Sequence, residues 1–399
     1  MMLLSLVLTI VVVLTTLSIV AVVRFTARAA AASRALLKGA GPTAAPAARN
    51  AAPVTILKPL CGADDALFAN LETFFRQTYP RFELVFGVEG ETDPALAVVR
   101  RLREKYPHVA TRTVVHDGKR ALNPKVSNLR AMLECGAYDH VVISDSNVAV
   151  RPEWLAQMMG EMQADPRLGL LTNLFVGTGE DSVGATLENL HLAGTIAGSI
   201  AVTHEMGPDA VAVGKSMLFR RSVFESLGGF ESVGSFLAED YVMGRMFAAA
   251  GYRVRLAATT IENVVKHATV KAFLKRHTRW SLLRSRLVPL MYPFEPLANP
   301  MLLVVLALVA GHLGPALAVT GLGLTLVRDA VQWLRLRGPK GLLAALPLGP
   351  VKDLAMLGVW AVAPFLGRVS WRGKSFRVAA GTRLYADQPM SAPQKLEWE

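Results

Sequence analysis

The stretch His140-Val-Val-Ile-Ser-Asp-Ser-Asn147 determines how the rest of the chain is interpreted. Its apolar run is short and rich in β-branched residues, which favours a buried strand over a helix. Asp145 then follows the end of the strand, the edge at which open α/β sheets bind ligands. A carboxylate at that edge can hold a divalent cation against a diphosphate, because hard cations prefer oxygen ligands. An ordinary turn aspartate is the alternative interpretation, since Asp and Asn favour turns.

Strand and helix patterns alternate on both sides of this stretch. Apolar runs predict strands at residues 54–57, 82–88, 112–115 and 170–176. Helical periodicity predicts helices at residues 65–77, 94–106, 125–135 and 152–164. Alternation at this spacing predicts an α/β fold with a mainly parallel sheet and crossover helices. Such an architecture is typical of nucleotide binding, although a fold alone does not identify a function.

Three later segments are also predicted. Residues 182–201 are predicted to form a long helix of small and apolar residues, which lines an acceptor groove, lies near the bilayer or belongs to the core. Residues 211–219 are predicted to form a strand. Residues 271–286 are predicted to form a strongly basic helix that suits solvent or lipid headgroups.

The N-terminal segment is predicted to be a membrane anchor. Residues 3–23 carry no charge, and at ~1.5 Å per residue they can cross a hydrocarbon core of ~30 Å. A cleaved signal peptide is the alternative, but no charged region precedes the apolar one. Basic residues without acids follow, which predicts a cytoplasmic downstream domain. We therefore expect an uncleaved transmembrane anchor over residues 1–24 and a linker, mobile or amphipathic, over residues 25–53.

The C-terminal third is apolar again. Residues 297–313 and 315–327 predict a hairpin of hydrophobic helices followed by a basic loop over residues 328–340, which obeys the positive-inside rule. Residues 342–366 form a third apolar stretch, interrupted by Lys352-Asp353, so a re-entrant or interfacial helix is preferred to a full span. The predicted boundaries are residues 54–295 for the cytoplasmic domain, 296–367 for the membrane segments and 368–399 for a cytoplasmic basic tail.

The composition narrows the classes of partner. The net charge is +12, which suits phosphorylated substrates or anionic lipids. Hydrophobic residues make up 52% of the chain and the mean hydropathy is +0.35, which indicates a membrane, and no nucleic-acid-binding motif is present. Cys61 and Cys135 form neither a disulfide framework nor a metal-type spacing and are predicted to be core or near-core thiols. The use of Ala, Arg and Leu suggests a bacterial inner membrane, and the sequence makes no prediction of oligomeric state.

Seven short motifs occur in one order along residues 54 to 375. They are Val54-Thr-Ile-Leu-Lys-Pro-Leu60, Asn70-Leu-Glu-Thr-Phe-Phe75, Leu122-Asn-Pro-Lys-Val-Ser-Asn-Leu129, Ile143-Ser-Asp-Ser146, Ala238-Glu-Asp-Tyr241, Arg276-His-Thr-Arg-Trp280 and Ser370-Trp-Arg372. Together they resemble the ceramide glucosyltransferases, family 2-like glycosyltransferases that move a sugar from a nucleotide donor onto a membrane lipid. Hopanoid-associated glycosyltransferases share the same pattern, so the resemblance specifies the reaction class more firmly than the substrate.

The resemblance implies a GT-A fold and an inverting displacement. A sugar, glucose first, would pass from a UDP-sugar to the primary hydroxyl of ceramide, giving a β-glycosylceramide. Galactose, glucuronate or N-acetylglucosamine as the sugar, and a hopanoid or diacylglycerol as the acceptor, are the alternatives. Such a site needs a base near the acceptor hydroxyl and cationic groups near the departing diphosphate.

Site residues follow from the motif match. The resemblance makes Asp145 the metal- and diphosphate-binding acid and Asp240 the base, with Glu239 as a like-charged neighbour that raises its pKa. Arg276, Arg279 and Trp280 match the RxxRW form, in which the arginines grip phosphate oxygens and the indole packs against sugar or acceptor.

Five further residues are expected at the nucleotide. Lys125 and Asn128 are placed by the family pattern near the donor. Lys58, Pro59 and Leu60 are expected to border the uracil.

The chain departs from the family pattern at two places. Gly90 stands where an acid is expected, so Glu89 or Glu91 is predicted to reach the uridine or ribose. The triplet Asp145-Ser146-Asn147 ends in a neutral residue. Mg²⁺ or Mn²⁺ could still bind Asp145, the Asn147 oxygen, waters and the diphosphate, since such sites use few protein ligands.

Two other functions share parts of this pattern. A processive polysaccharide synthase has the same catalytic signature but needs a transmembrane channel, for which the apolar segments are few. A non-catalytic lipid- or nucleotide-binding protein is suggested by Gly90 and the incomplete triplet, and the retained Asp145, Asp240 and RxxRW set argues against it.

Overall fold

A computed structural model describes residues 2–38, 51–63, 66–207, 212–308, 310–371 and 374–386. The eleven strands within these ranges are β1 (Val54–Pro59), β2 (Phe82–Glu89), β3 (Ala110–His116), β4 (His140–Ser144), β5 (Val148–Ala149), β6 (Leu168–Thr178), β7 (Ser216–Arg220), β8 (Arg253–Val264), β9 (Arg368–Trp371), β10 (Lys374–Val378) and β11 (Leu384–Ala386).

The α-helices within the same ranges are α1 (Met2–Lys38), α2 (Leu67–Phe75), α3 (Ala95–Lys105), α4 (Pro124–Cys135), α5 (Trp154–Ala164), α6 (Val183–His191), α7 (Ala197–Met206), α8 (Arg221–Ser226), α9 (Gly229–Val233), α10 (Glu239–Ala249), α11 (Val270–Leu287), α12 (Met301–Ala307), α13 (Gly314–Arg337), α14 (Leu342–Ala345) and α15 (Gly349–Val362). Single turns of tighter helix precede or follow several of them.

An eight-stranded sheet forms the centre of the molecule, in the order β3-β2-β1-β4-β7-β6-β8-β5. Strands β3, β2, β1 and β4 run parallel, as the alternating pattern predicts. The other half of the sheet is mixed, because β7 is antiparallel to both β4 and β6. The start of β7 therefore lies at the same edge as the end of β4.

Both faces of the sheet are covered by apolar packing. One cluster, which includes Phe74, Phe86 and Trp154, joins the sheet to α2, α3 and α5. The other, which includes Met132 and Phe219, joins it to α4, α8 and α10. Covering both faces explains why β4 is a continuous buried apolar run, whose residues are buried from Val141 to Ser144.

Helix α1 is longer than the predicted anchor. It continues without a break to Lys38, through the first part of the segment predicted to be a linker, and it contacts α7 and α13. Residues 39–50 of that linker lie outside the described residues. The predicted helix over residues 182–201 runs to Met206 as α6 and α7, joined by a π-helical turn over Leu192–Ile196.

The hydrophobic helices in the C-terminal third turn back as predicted. The chain reverses near Gly311–Leu313, and α12 packs against α13, with Gly321 next to the carbonyl of Pro300. The predicted loop over residues 328–340 is wrong in its first part, because α13 continues to Arg337 and ends at Gly338, whose φ is +73°. Arg328 is buried rather than in a surface loop, since its guanidinium is paired with Asp329 and Asp353.

Other predictions need smaller changes. The strand predicted over residues 211–219 begins at Ser216, and residues 208–211 lie outside the described part. Cys61 and Cys135 are free thiols but exposed rather than buried, because they follow or end their elements at the edges of the fold. The predicted basic tail begins as the antiparallel sheet β9-β10-β11, and residues 372–373 and 387–399 are not described. Two helical stretches, Thr9–Lys38 and Leu342–Phe365, are long and apolar enough to cross a membrane by length and composition.

Candidate active site

The candidate site lies where β1, β2 and β4 end and β7 begins. Asp145 directly follows β4, and its backbone N–H is bonded to the carbonyl of Lys215, 3.2 Å away, just before β7. Because β4 and β7 are antiparallel, the turn before β7 delivers its residues to the carboxyl end of β4.

Two lysines face the carboxylate of Asp145. Lys125 Nζ lies 3.0 Å from Asp145 Oδ1, and Lys215 Nζ lies 3.1 Å from Asp145 Oδ2. Burial alone would raise the pKa of Asp145, but the two ammonium groups outweigh it and hold the pKa well below its usual range. Asp145 is therefore ionised at neutral pH, with both oxygens paired.

Asn147 shares one of these lysines with Asp145. Lys215 Nζ donates to Asn147 Oδ1 at 3.0 Å, so it sits between the first and third residues of the triplet. The amide group of Asn147 donates to Asn263 Oδ1 on β8 at 2.9 Å, which fixes its oxygen towards the site.

Helix α4 carries Lys125 into the site because its start is fixed. The side chain of Asn123 accepts bonds from the backbone N–H groups of Lys125 and Val126, and Pro124 occupies the first turn. Although burial opposes it, the nearby acids Asp145, Glu239 and Asp240 raise the pKa of Lys125 well above its usual range. Lys125 is a permanent cation in the centre of three carboxylates.

Glu239 and Asp240 begin α10. Glu239 Oε1 lies 3.1 Å from Lys125 Nζ, and its other oxygen accepts from Asn123 Nδ2 at 3.2 Å. Asp240 accepts from the backbone N–H groups of Gly214 at 2.7 Å and Tyr241 at 2.8 Å. Burial first, and then the charge of Glu239, raise the pKa of Asp240 to about 6, against the opposing effects of Lys125 and the backbone bonds.

Gly214 permits the close approach of Asp240 to the turn before β7. A Cβ at this position would lie 2.7 Å from Asp240 Oδ2, closer than a side chain allows. The glycine therefore sets the position of the Asp240 carboxylate.

Helix α11 supplies the arginines of the RxxRW motif. Arg276 Nη1 is bonded to Glu188 Oε1 at 3.0 Å, and His277 Nε2 lies 3.2 Å from the other oxygen of Glu188. Burial opposes it, but His277 and Arg276 together lower the pKa of Glu188. The positive charge of Arg276 also lowers the pKa of Lys215, after the larger effect of burial, so the two cations lie in one electrostatic field.

The other two motif residues are half-buried on the same helix. Trp280 packs its ring edge-on to His277, with centroids 5.2 Å apart. Like Ile196 and Ile200, it also packs against the apolar cluster that includes Phe74 and Trp154. Arg279 lies one turn from Arg276.

The residues predicted to border the uracil, Lys58, Pro59 and Leu60, lie at the end of β1. Lys58 is fully buried, with its ammonium 2.6 Å from the carbonyl oxygen of Asp145 and 3.7 Å from the ring centroid of Phe74. Burial lowers the pKa of Lys58 well below its usual value. Lys58 thus holds the backbone carbonyl of Asp145 in place by a hydrogen bond. Pro59 and Leu60 are also buried, where β1 leaves the sheet.

Asn128 joins the ends of β1 and β2. Its amide group donates to the carbonyls of Gly87 at 2.9 Å and Leu60 at 3.3 Å, and its buried Oδ1 lies against Gly87, where a Cβ would be 2.0 Å away. Burial lowers the pKa of His116 at the end of β3, and a side-chain hydrogen bond with Asn128 opposes this effect. Asn128 therefore connects the ends of three neighbouring strands.

Glu89 ends β2, and Gly90 and Glu91 follow it. Glu89 is exposed and pairs with Lys374 on β10 at 2.8 Å, and Glu91 is exposed in the following turn. Gly90 between them has a φ of +85°, which favours glycine over an acid. Asp93 instead ties this turn to the loop after β1, accepting from the Gly62 N–H at 3.0 and 3.1 Å.

Lys125 thus contacts Asp145 and Glu239 directly, and Lys215 links Asp145 to Asn147. Asp240 joins this group through Gly214, whose carbonyl accepts from Lys125 and whose N–H donates to Asp240. Arg276 is connected with it only by the effect of its charge on Lys215. Sequence reasoning missed three residues: Lys215, Asp93 and Glu188. The predicted strand over residues 211–219 contains Lys215, whereas in the structure the strand begins at Ser216 and Lys215 lies in the turn before it.

The donor set suits one cation with few protein ligands. One oxygen of Asp145 and the amide oxygen of Asn147 point to the same position, and the ammonium group of Lys215 occupies it. Among the described residues, no group of three or more His, Cys, Asp or Glu side chains is arranged to hold a metal. A divalent cation fits here only where substrate oxygens complete its shell, as Mg²⁺ does at phosphates.

Comparison with known proteins identifies a family and several relatives of this sequence. The sequence model of Glycosyl transferase family 21 matches residues 11–384. Ceramide glucosyltransferase 3 of Caenorhabditis elegans is 29% identical over 246 residues, which cover 62% of this chain and 53% of the relative. Ceramide glucosyltransferase of Komagataella phaffii is 43% identical over 101 residues, or 24% of this chain and 20% of the relative. The chain thus spans about half the length of the first relative, at 53%, and 20% of the second.

A solved structure shares the fold. The mannosyltransferase PcManGT from Pyrobaculum calidifontis, determined with GDP-Man and Mn²⁺, has a TM-score of 0.50 and 18% identity over 90% of this chain and 99% of its own. The predicted GT-A fold is confirmed by this likeness.

Proposed function

Because the chain belongs to glycosyl transferase family 21, we propose that it transfers glucose from UDP-glucose to the primary hydroxyl of ceramide at a membrane surface. The observation that carries this proposal is the pairing of a raised-pKa carboxyl, Asp240, with the cationic cluster around Asp145. A glycosyl transfer needs a base on one side of the reacting carbon and positive charge on the other.

Asp240 acts as the base. With a pKa of about 6 it is ionised at neutral pH, yet it is basic enough to accept the proton of the lipid hydroxyl as the new bond forms. Its bonds from Gly214 and Tyr241 hold the carboxylate in one orientation. The hydroxyl attacks the anomeric carbon opposite the diphosphate in a single displacement, so the product has the β configuration.

The cationic side chains stabilise the leaving group. Lys125, Lys215 and Arg276 place positive charge beside the carboxyl edge of β4, where the diphosphate of a nucleotide sugar binds in an open α/β sheet. When bound by Asp145 and Asn147, a divalent cation, Mg²⁺ or Mn²⁺, would neutralise further charge on the diphosphate. We propose that the nucleoside binds at the loops after β1 and β2, which the side chain of Asn128 joins.

A membrane position follows from the distribution of exposed apolar side chains. Among the described residues, most large exposed hydrophobic side chains lie on α1 and between residues 288 and 365, including Leu308 at 84%, Leu343 at 85% and Phe365 at 87% exposure. Exposed apolar surface of this extent indicates a membrane or partner surface. We propose that these helices hold the site at the cytoplasmic face, with α1 as an anchor and the C-terminal helices as further membrane segments.

The experiment is a substrate panel with detergent-purified protein and product detection by mass spectrometry. UDP-glucose, UDP-galactose, UDP-glucuronate and UDP-N-acetylglucosamine are each offered with ceramide, a hopanoid or diacylglycerol, with Mg²⁺ or Mn²⁺. The proposal predicts hexosylceramide from UDP-glucose as the main product. A main product with another sugar or lipid would reassign the substrate, and no product with retained UDP binding would reject lipid glycosylation.

A further inference from the structure

Lys215 occupies the position between Asp145 and Asn147. We propose that Lys215 is an internal cation that holds the divalent-cation position closed until a nucleoside diphosphate binds, and that it then moves onto the diphosphate. This inference rests on the proposed use of a nucleotide sugar and a divalent cation.

The geometry shows a cation already bound by the two oxygens. Lys215 Nζ lies 3.1 Å from Asp145 Oδ2 and 3.0 Å from Asn147 Oδ1, and each of these two oxygens is a possible ligand for a metal. An ammonium group and a divalent cation cannot share them, because two positive charges repel strongly in a partly desolvated site. The lysine must leave before a metal can enter.

The charges of the site explain why the lysine stays in the free protein. Asp145 is only 24% exposed, and an unpaired carboxylate in such a place is costly. Lys125 pairs with Asp145 Oδ1 but also serves Glu239, so Lys215 completes the neutralisation. The free protein therefore needs no metal to stabilise Asp145.

A nucleoside diphosphate changes this balance. It brings its own negative charges to the edge of β4, and these can accept the ammonium group of Lys215 once it leaves Asp145. The side chain is 18% exposed on a flexible four-carbon stem and begins from the turn before β7, so it can swing without moving the sheet. Metal and nucleotide should consequently bind as a pair, each increasing the affinity for the other by the same factor.

Binding of Mn²⁺, measured by electron paramagnetic resonance on full-length protein in detergent, tests the proposal. Titrations are made with and without UDP for the wild type, Lys215→Met, Lys215→Arg and Lys125→Met. Lys125→Met is the matched control, because it removes the same charge beside the same carboxylate but leaves the Lys215 bridge to Asn147.

Without UDP, we expect Lys215→Met to bind Mn²⁺ at least about tenfold more tightly than the wild type, and more tightly than Lys125→Met, since a competing charge is removed. UDP should increase Mn²⁺ affinity strongly in the wild type and much less in Lys215→Met. Lys215→Arg keeps the charge and should resemble the wild type.

Two results would overturn the inference while the proposed function stands. They are equal Mn²⁺ affinities of wild type and Lys215→Met without UDP, and equal effects of Lys215→Met and Lys125→Met. Absence of Mn²⁺ binding in every variant even with UDP would reject the use of this cation in the proposed function, and the inference with it.

Discussion

Asp240 carries an elevated pKa for two reasons that can be separated. Burial raises its pKa most, and the neighbouring charge of Glu239 raises it further, to about 6. When protonated, the carboxyl of Asp240 cannot accept the proton of the lipid hydroxyl, so the base is lost as the pH falls through its pKa.

We therefore expect kcat/KM for transfer to rise with pH through about 6 and to level off above it, since the base is then ionised. Glu239→Gln removes the like charge and should move the midpoint to lower pH. A pH profile of initial rates at constant ionic strength measures both. A rate that does not change between about pH 5 and pH 7 would exclude a base of this pKa.

Gly214 gives a second prediction at the residue scale. Gly214→Ala places a Cβ against Asp240 Oδ2, so the carboxylate must shift. Transfer should fall by about 100-fold, the usual cost of displacing a catalytic group by an ångström, while UDP still binds.

Gly207→Ala is the matched control, because a Cβ there would meet nothing within 4 Å. The two variants should differ in their initial rates of transfer but should bind UDP with equal affinity. Equal rates would show that Asp240 has room to move without loss of function.

Single residues differ in how far the sequence predicted them. The motif match predicts that Asp145, Asp240 and Lys125 belong to one site, and in the structure Lys125 pairs with Asp145 and with Glu239, the neighbour of Asp240. Lys215 was not predicted, because its position depends on β7 running antiparallel to β4. The residues of a strand do not by themselves determine its direction in the sheet. The roles of these residues remain predictions.

At the scale of elements, α11 and α6 form a unit through Glu188. This fully buried carboxylate holds Arg276 with one oxygen and His277 with the other. Arg276 and His277 are fixed in this way on the face of α11 that meets α6. The basic helix predicted from sequence is therefore not wholly a headgroup surface, since one face of it is buried.

Glu188→Gln tests whether this unit positions Arg276. The amide cannot neutralise the guanidinium, so Arg276 loses its fixed orientation, and we expect UDP affinity to fall by about tenfold, the value of one charged hydrogen bond. Glu72→Gln is the control, because Glu72 is part of an ion pair with the exposed Lys105 on the surface. Isothermal titration with UDP measures both variants, and an unchanged affinity in Glu188→Gln would remove Arg276 from the nucleotide site.

At the scale of the whole molecule, four charges hold the C-terminal helices together. Arg328 and Asp329 on α13 pair with Lys352 and Asp353 on α15, with all four side chains buried and separations of 2.7 to 3.2 Å. Sequence reasoning treated these charges as a loop and an interruption, because each adjacent pair is a local obstacle to an apolar helix. They are compatible with burial only because the fold brings the two pairs together, and no local pattern predicts that.

Removing one member of this cluster should destabilise the fold. Asp329→Asn leaves an excess positive charge, and we expect a loss of about 3–5 kcal/mol in unfolding free energy. Asp329→Asn combined with Lys352→Met keeps the cluster neutral and should recover most of the loss. Thermal unfolding in detergent compares them, and a double variant no more stable than the single one would show that packing, not charge, is decisive.

The proposed function requires above all that Asp240 acts as the base of an inverting transfer to lipid. The most direct measurement is product analysis, by mass spectrometry and NMR of the anomeric proton, for wild type and Asp240→Asn with UDP-glucose and ceramide, alongside UDP binding. We expect a β-glucosylceramide from the wild type and no product from Asp240→Asn, with UDP affinity retained. Undiminished transfer by Asp240→Asn, or an α-linked product from the wild type, would contradict the account.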